Sequence, residues 1–485
     1  MRKGTSRSTK HPSKYPSLWL LAVAICLCPA AALAQTNTVT GEGALANVTT
    51  GHHNTADGYN ALNQTTSGYN NSACGSQTLE SNTTGPNNTA VGYQAGYSNT
   101  TGTHVVAIGY KALYSDGTAD ESTAVGYQAL TSQTSGRNHA FGFNAGLDLT
   151  TGTYNTLLGG EAGENITTGN YNVVVGAQAG RANITGDSNI AVGFQSLRFN
   201  TGANNVAVGS TALYTNSTAS NNVAIGHQSL YANTTATNNT AVGYQALTDN
   251  TTGNVNTAVG QTAAANITTG SANTAIGRAS LATATTAGSN TAIGADALEL
   301  VTGAGNTAIG AGSGSLMTTG AYNTILGRFN GNQDGLDIRT SSNYIVLSDG
   351  DGNPRGWWTN TGTFIIPQTY SDTTANAANM EIDASGVVRR STSSLRYKTD
   401  VQDATHGLAE VLALRPVTYK GINDGDKVFG GLIAEEVHDA GLTEFVVYDK
   451  DGQPDALAYG NMVSVLVKAI QELKAEFDAY KASHP

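Results

Sequence analysis

The sequence predicts a mainly β protein: a parallel β-roll or β-solenoid of ~17-residue repeats, a β-rich neck, and a small α+β domain ending in a coiled-coil helix. Three observations predict it. A glycine-centred motif returns at nearly constant spacing from Gly41 to Gly327. Within each unit a short β-favouring segment alternates its side chains with period two, which sorts them onto two faces. Beyond residue 390 the composition turns ordinary, and the last helix spaces its apolar residues by threes and fours.

The chain opens on a segment of different character. Arg2, Lys3, Arg7, Lys10 and Lys14 form a basic stretch, Leu18 to Leu27 is apolar, and Ala32-Leu33-Ala34 offers a small-x-small cleavage site before Gln35. Residues 1–34 are therefore expected to be a signal peptide, and the protein to be exported to the surface or surroundings of a bacterial cell. The apolar run is short for a membrane span. Cys26 and Cys28 fall within residues 1–34, so Cys74 stands alone in the expected mature chain and no intrachain disulfide framework is expected. A net charge of −11, with only 12 % charged residues, gives no electrostatic footprint for nucleic acid.

Residues 35–339 hold the repeats. Successive central glycines lie 17 residues apart, with three gaps of 16 that end at Gly142, Gly209 and Gly310. Register this tight implies units stacked on one another, because independent loops would drift. A segment such as Asn239-Thr240-Ala241-Val242-Gly243 reads as a strand, and Thr251-Thr252-Gly253 as a turn. One face of the strand carries Thr or Val and then Val or Ile, as at Val206 and Val208. The other carries Asn, Ala and Gly, as at Asn205, Ala207 and Gly209. Small residues there are expected where another backbone comes close. A coil this slender is also expected to share its interior with neighbouring chains. Asn recurs four residues before the glycine, as in Asn88, Asn222, Asn239, Asn290 and Asn306. Stacked in register these amides are expected to form a ladder, with ligand binding as the alternative role.

Asn222-Val223-Ala224-Ile225-Gly226 resembles the head repeats of YadA-type trimeric autotransporter adhesins, whose motif reads Asn-Ser-Val-Ala-Ile-Gly. The resemblance runs over residues 40–330 and implies a left-handed parallel β-roll in which three chains associate laterally. The coil here is longer than the family's usual one, and the family's β-barrel anchor has no counterpart, so the fold transfers better than the export route.

Other residues in the repeats have bland readings. Cys74 takes a slot usually held by Val or Ile and is expected to be a small core residue. His52, His53, His104, His139 and His227 occupy different places in the unit, so no column of metal ligands is expected, and no cofactor motif is present. Tyr93, Tyr110, Tyr127 and Tyr244 follow the glycine and are expected to cover the coil's edge, with an adhesive stripe as the alternative.

Residues 340–390 form the expected neck, with Asn343–Gly350, Trp357-Trp358 and Phe364-Ile365-Ile366 as β segments. Beyond it, Leu408–Leu414 is expected to be helical, Val417-Thr418-Tyr419 a strand, residues 431–440 a helix, and Phe445–Tyr448 a strand. A last helix begins near Asn461, and Val463, Leu466, Ile470, Leu473, Phe477 and Tyr480 form its a/d seam. Residues 391–485 also carry four blocks in order: Ser393-Ser394-Leu395-Arg396-Tyr397-Lys398, Leu414-Arg415-Pro416-Val417, Phe429 to Val437, and Val465 to Ile470. This series looks like the intramolecular chaperones of phage tail spikes, tail fibres and endosialidases.

That resemblance implies a homotrimer and a single-turnover, self-cleaving serine peptidase. Ser393 would be the nucleophile, Lys398 the general base, and Thr392–Ser393 the cut bond; Ser394 is the rival nucleophile. Glu435 and Glu436 would orient the site or hold structure. The expected function is an exported, trimeric, adhesin-like surface fibre binding a glycan or protein, with no nucleic-acid partner. The alternatives are a polysaccharide-degrading tail-spike-like enzyme and an ice- or surface-binding protein. With only scattered Asp and Glu in the repeats, no turnover enzyme is expected there.

Overall fold

The computed structural model describes residues 36–118, 120–366, 380–382, 388–390, 398–422, 425–449 and 451–484. Residues 1–34, expected to be a signal peptide, lie outside them, and among the described residues no helix is long and apolar enough to cross a membrane. The chain divides into two compact units, Met1–Ser371 and Asp372–Pro485.

In the first unit, strands of three residues run from β1, Thr38–Thr40, to β18, Thr324–Leu326, each paired in parallel with the next. Together they form a parallel β-solenoid of about 18 turns, as the repeat predicted. Stacking is in register: Val206, Ala207 and Val208 face Val223, Ala224 and Ile225 of the next coil. Parallel pairing goes on through β21, Ile345–Ser348, which follows a longer connection. That connection holds a small hairpin of β19, Asn332–Gln333, and β20, Leu336–Asp337. Phe329 and Ile338 fill the interior beside it. Two antiparallel strands, β22 (Pro354–Trp358) and β23 (Phe364–Ile365), then close the sheet, which keeps that edge from templating another chain.

Three-residue strands leave one inward side chain per coil, and in most coils it is a small one. Ala90, Ala107, Ala124, Ala207 and Ala241 hold that position and are fully buried. Leu62, Leu79, Leu113, Leu130, Leu197 and Leu213, from the turn after the glycine, fill the rest. The volumes trade off. Where the strand centre is Leu157, the leucine slot of the coil before it is Gly146, and a Cβ there would lie 2.6 Å from Leu157 Cδ1 and 2.8 Å from Leu130 Cδ2.

Buried amides satisfy the backbone that the strands leave unpaired. The Asn71 backbone N–H donates to Asn54 Oδ1 at 2.9 Å, and Asn71 Nδ2 donates to the Gly85 carbonyl at 2.9 Å. The pattern repeats at Asn172, Asn222 and Asn273, so the expected ladder is present and lies inside the coil. A second ladder, not anticipated, joins Asn216 to Asn200 at 2.6 Å, Asn233 to Asn216 at 2.7 Å and Asn250 to Asn233 at 3.0 Å. On the turn, Thr hydroxyls donate to the carbonyl of the next coil, as from Thr83 to Thr100 at 3.0 Å.

Two expectations need correcting. The interior is not shared: alanine, leucine and asparagine of one chain fill it. The close backbone approach expected of the small residues is present, between successive coils of the chain. Cys74 is not a core residue but is exposed, with its thiol 3.8 Å from Asp57 Oδ2. Its slot faces outward in every coil, because period-two alternation turns only the middle residue of each three-residue strand inward, and larger apolar residues at that slot share its fate. Val91, Ile108, Phe141, Leu158, Ile225, Ile276, Ile309 and Leu326 thus form an exposed column.

In the second unit β24, Met380–Ile382, pairs antiparallel with β25, Val388–Arg390. Helix α1 (Leu408–Ala413) packs on α3 (Val463–Ser483), and the Leu408 N–H donates to Glu472 Oε2 at 2.7 Å. Hairpins β26 (Val417–Tyr419) with β27 (Phe429–Gly431), and β28 (Val446–Tyr448) with β29 (Pro454–Leu457), flank α2 (Ala434–Asp439) in sequence. The α2 helix starts later than residue 431 because Gly430 and Gly431 are taken by β27. Val437, Leu442, Phe445, Val446, Met462 and Val465 make a small core.

Candidate functional site

Blocks two, three and four of the C-terminal domain meet in space. Block two pairs with block three through β26 and β27, and Arg415 forms a two-pronged ion pair with Glu436. Block four contributes Val465 to the core that holds Val437. The hydrogen bond from Arg415 holds the Glu436 carboxyl below its ordinary range and raises the guanidinium in turn. The neighbouring Glu435 instead lines an open cleft of about 400 Å³ with Tyr419, Leu432, Asp455, Leu457 and Tyr459. The Tyr459 hydroxyl accepts the Leu432 N–H at 2.8 Å and fixes one wall.

Of the expected dyad, Lys398 is exposed at the start of a described stretch. Thr392, Ser393 and Ser394 lie outside the described residues, so the dyad's geometry is not part of this picture.

The seam of α3 is exposed in one chain. Val463, Leu466, Ile470, Leu473, Phe477 and Tyr480 all face solvent, with Ile470 66 % accessible, while Val465 and Ala469 pack against the domain's own core. The helix thus has its inner stripe used and a second apolar stripe bare. On the solenoid the tyrosines after the glycine stack along the coils, Tyr93 to Tyr110 at 5.5 Å, Tyr110 to Tyr127 at 5.0 Å and Tyr127 to Phe143 at 5.4 Å between centroids. They do not cover the coil's edge but stand out from it, each about half exposed.

Residues 393–447 match the family described as chaperone of endosialidase, and this segment carries that domain. No curated protein and no solved structure matches the chain. A parallel β-solenoid followed by a chaperone-of-endosialidase domain fits a tail-spike- or fibre-like protein with an intramolecular chaperone, and the association of such domains with trimeric tail proteins is consistent with a homotrimer.

Proposed function

We propose that the chain is an exported, homotrimeric surface fibre of adhesin type, with head repeats of the YadA kind. Its C-terminal chaperone aligns three chains and then cuts itself away at Thr392–Ser393. The observation that carries the reading is apolar surface left bare in one chain: the α3 seam and the outward column of the solenoid. Contiguous exposed apolar surface of this extent marks an interface, and copies of the same chain present the same columns at the same rung spacing.

In the cleavage step Ser393 Oγ attacks the Thr392 carbonyl carbon and passes its proton to a neutral Lys398 amine. Lys398 returns the proton to the departing Ser393 amide nitrogen, and water hydrolyses the ester that remains. Lysine can act so only when a desolvated pocket disfavours its charge. If assembly forms that pocket, cutting reports a finished trimer.

Sedimentation of the full-length Ser393→Ala protein tests assembly, and intact mass of the wild type tests cleavage. The expected results are an uncut trimer for the variant and a break before Ser393 in the wild type. A monomeric variant removes the fibre reading; a variant still cut at that bond removes the dyad.

A further inference from the structure

On the first unit, one group of side chains departs from the repeat's plain chemistry. It lies at the coil that ends on Gly142, one of the three that are 16 residues long. An open cleft of about 450 Å³ is lined there by Glu121, Arg137, His139, Tyr154 and Thr156. Two adjacent columns build it. Glu121, Arg137 and Tyr154 sit five residues before the glycine, and His139 and Thr156 three before, with Asn138 and Asn155 between them buried. His139 is the one ionisable residue that opens any strand from β1 to β18.

The first column demands left-handed backbone, with φ of 55° at Glu121, 67° at Arg137 and 61° at Tyr154. Several other coils meet that demand with Asn, as at Asn204, Asn221 and Asn238, the residue that tolerates it best after glycine. Here Glu121, Arg137 and Tyr154 bring charged and aromatic groups to that slot in succession.

Their chemistry is mixed and self-opposing. Arg137 Nε lies 3.4 Å from Glu121, its guanidinium stands 5.5 Å above the Tyr154 ring, and it donates to the Tyr154 hydroxyl. The Arg137 and Glu121 side chains are 53 % and 62 % exposed, so water screens the pair and a ligand's hydroxyls can replace it at little cost. A bare anion would meet Glu121 and the nearby Asp120, and a bare cation would meet Arg137. An acceptor fork beside a donor fork suits adjacent hydroxyls of a sugar ring, since each hydroxyl both donates and accepts. Tyr154 adds an aromatic wall, and the cleft has the size of small-ligand sites, about 300–1,000 Å³.

We propose that this cleft is a binding subsite for an uncharged saccharide presented on a target surface. The proposal rests on the surface-fibre reading for its context and on the cleft for its chemistry.

The test uses the full-length protein and saturation-transfer NMR with maltotetraose, cellotetraose and chitotetraose, and with sialyllactose as the acidic counterpart. At least one neutral sugar should bind, and Arg137→Ala should weaken it by about tenfold or more. His139→Thr installs the residue most coils carry at that slot, so it should fold and still lose affinity. Arg278→Ala, at a remote ion pair with Asp296, should bind as the wild type does. Circular dichroism checks each fold; if Arg137→Ala fails to fold, His139→Thr decides. The proposal is overturned if no neutral sugar binds at about 10 mM, if sialyllactose alone binds, or if His139→Thr leaves binding intact. Sedimentation of the same samples separates the two readings: a monomer that binds sinks the fibre, and a trimer that binds none of the neutral sugars sinks the subsite.

Discussion

At the scale of single residues, the central glycine answers two demands at once. Gly176 has φ of 134°, and a Cβ on it would lie 2.5 Å from the Gly193 carbonyl oxygen of the next coil. Gly176→Ala should therefore destabilise the solenoid by about 2 kcal/mol or more, read as a lower melting temperature. Gly160, with nothing within 4 Å of its added Cβ, should accept alanine without change. The exchange of volume between Gly146 and Leu157 gives a sharper test. Gly146→Leu alone overpacks the core, at about 1–3 kcal/mol, and Leu157→Ala alone leaves a cavity, at about 2–5 kcal/mol. Made together they recreate the arrangement of other coils, so thermal melting should show most of the loss recovered. The asparagine ladder was legible in the sequence because one residue type kept one place in the period. The trade between Gly146 and Leu157 was not, because it joins different coils and becomes visible only once they are stacked. Cys74 was misplaced for a related reason. With three residues per strand, coil width decides which face turns inward, and hydrophobicity alone does not report it.

Among the elements, α3 separates two kinds of apolar residue that the sequence shows as one pattern. Val465 and Ala469 are buried within the domain, and Ile470 and Leu473 are exposed. Ile470→Asp should leave the domain folded and shift sedimentation of the full-length protein from trimer toward monomer. The a/d spacing was enough to find this seam. The turn that joins β21 to β22 makes a prediction of another kind. Partial desolvation pushes the Asp349 carboxyl upward, but hydrogen bonds from the Arg355 side chain, from Asn353 and from the Asp351 backbone outweigh it and hold the group at about 2. A depressed carboxylate stabilises the fold at pH above its unfolded value of 3.8 and loses that contribution as pH falls through about 2. NMR titration of this carboxyl should follow that low midpoint, and Arg355→Ala should move it up. Sequence marked the segment as a strand running into a turn, but Arg355 gave no sign there that it would fold back on Asp349. The C-terminal domain was legible as ordered blocks, whereas the different surroundings of Glu435 and Glu436 depend on where Arg415 arrives.

Across the whole molecule, the two compact units imply two stabilities. Hydrogen exchange should report the small C-terminal core and the solenoid as separate cooperative blocks. Within the solenoid each coil touches only its neighbours, and the strand pairing, both amide ladders and the threonine hydroxyls all link one coil to the next. Tension applied along the stack would load the contacts between coils and peel the end coil away before its inner neighbour felt much. Each release would free 17 residues, about 50 Å of slack after the coil's own rise is subtracted. A tether of this kind yields in small, repeated steps, dissipating a sudden pull while the remaining coils hold.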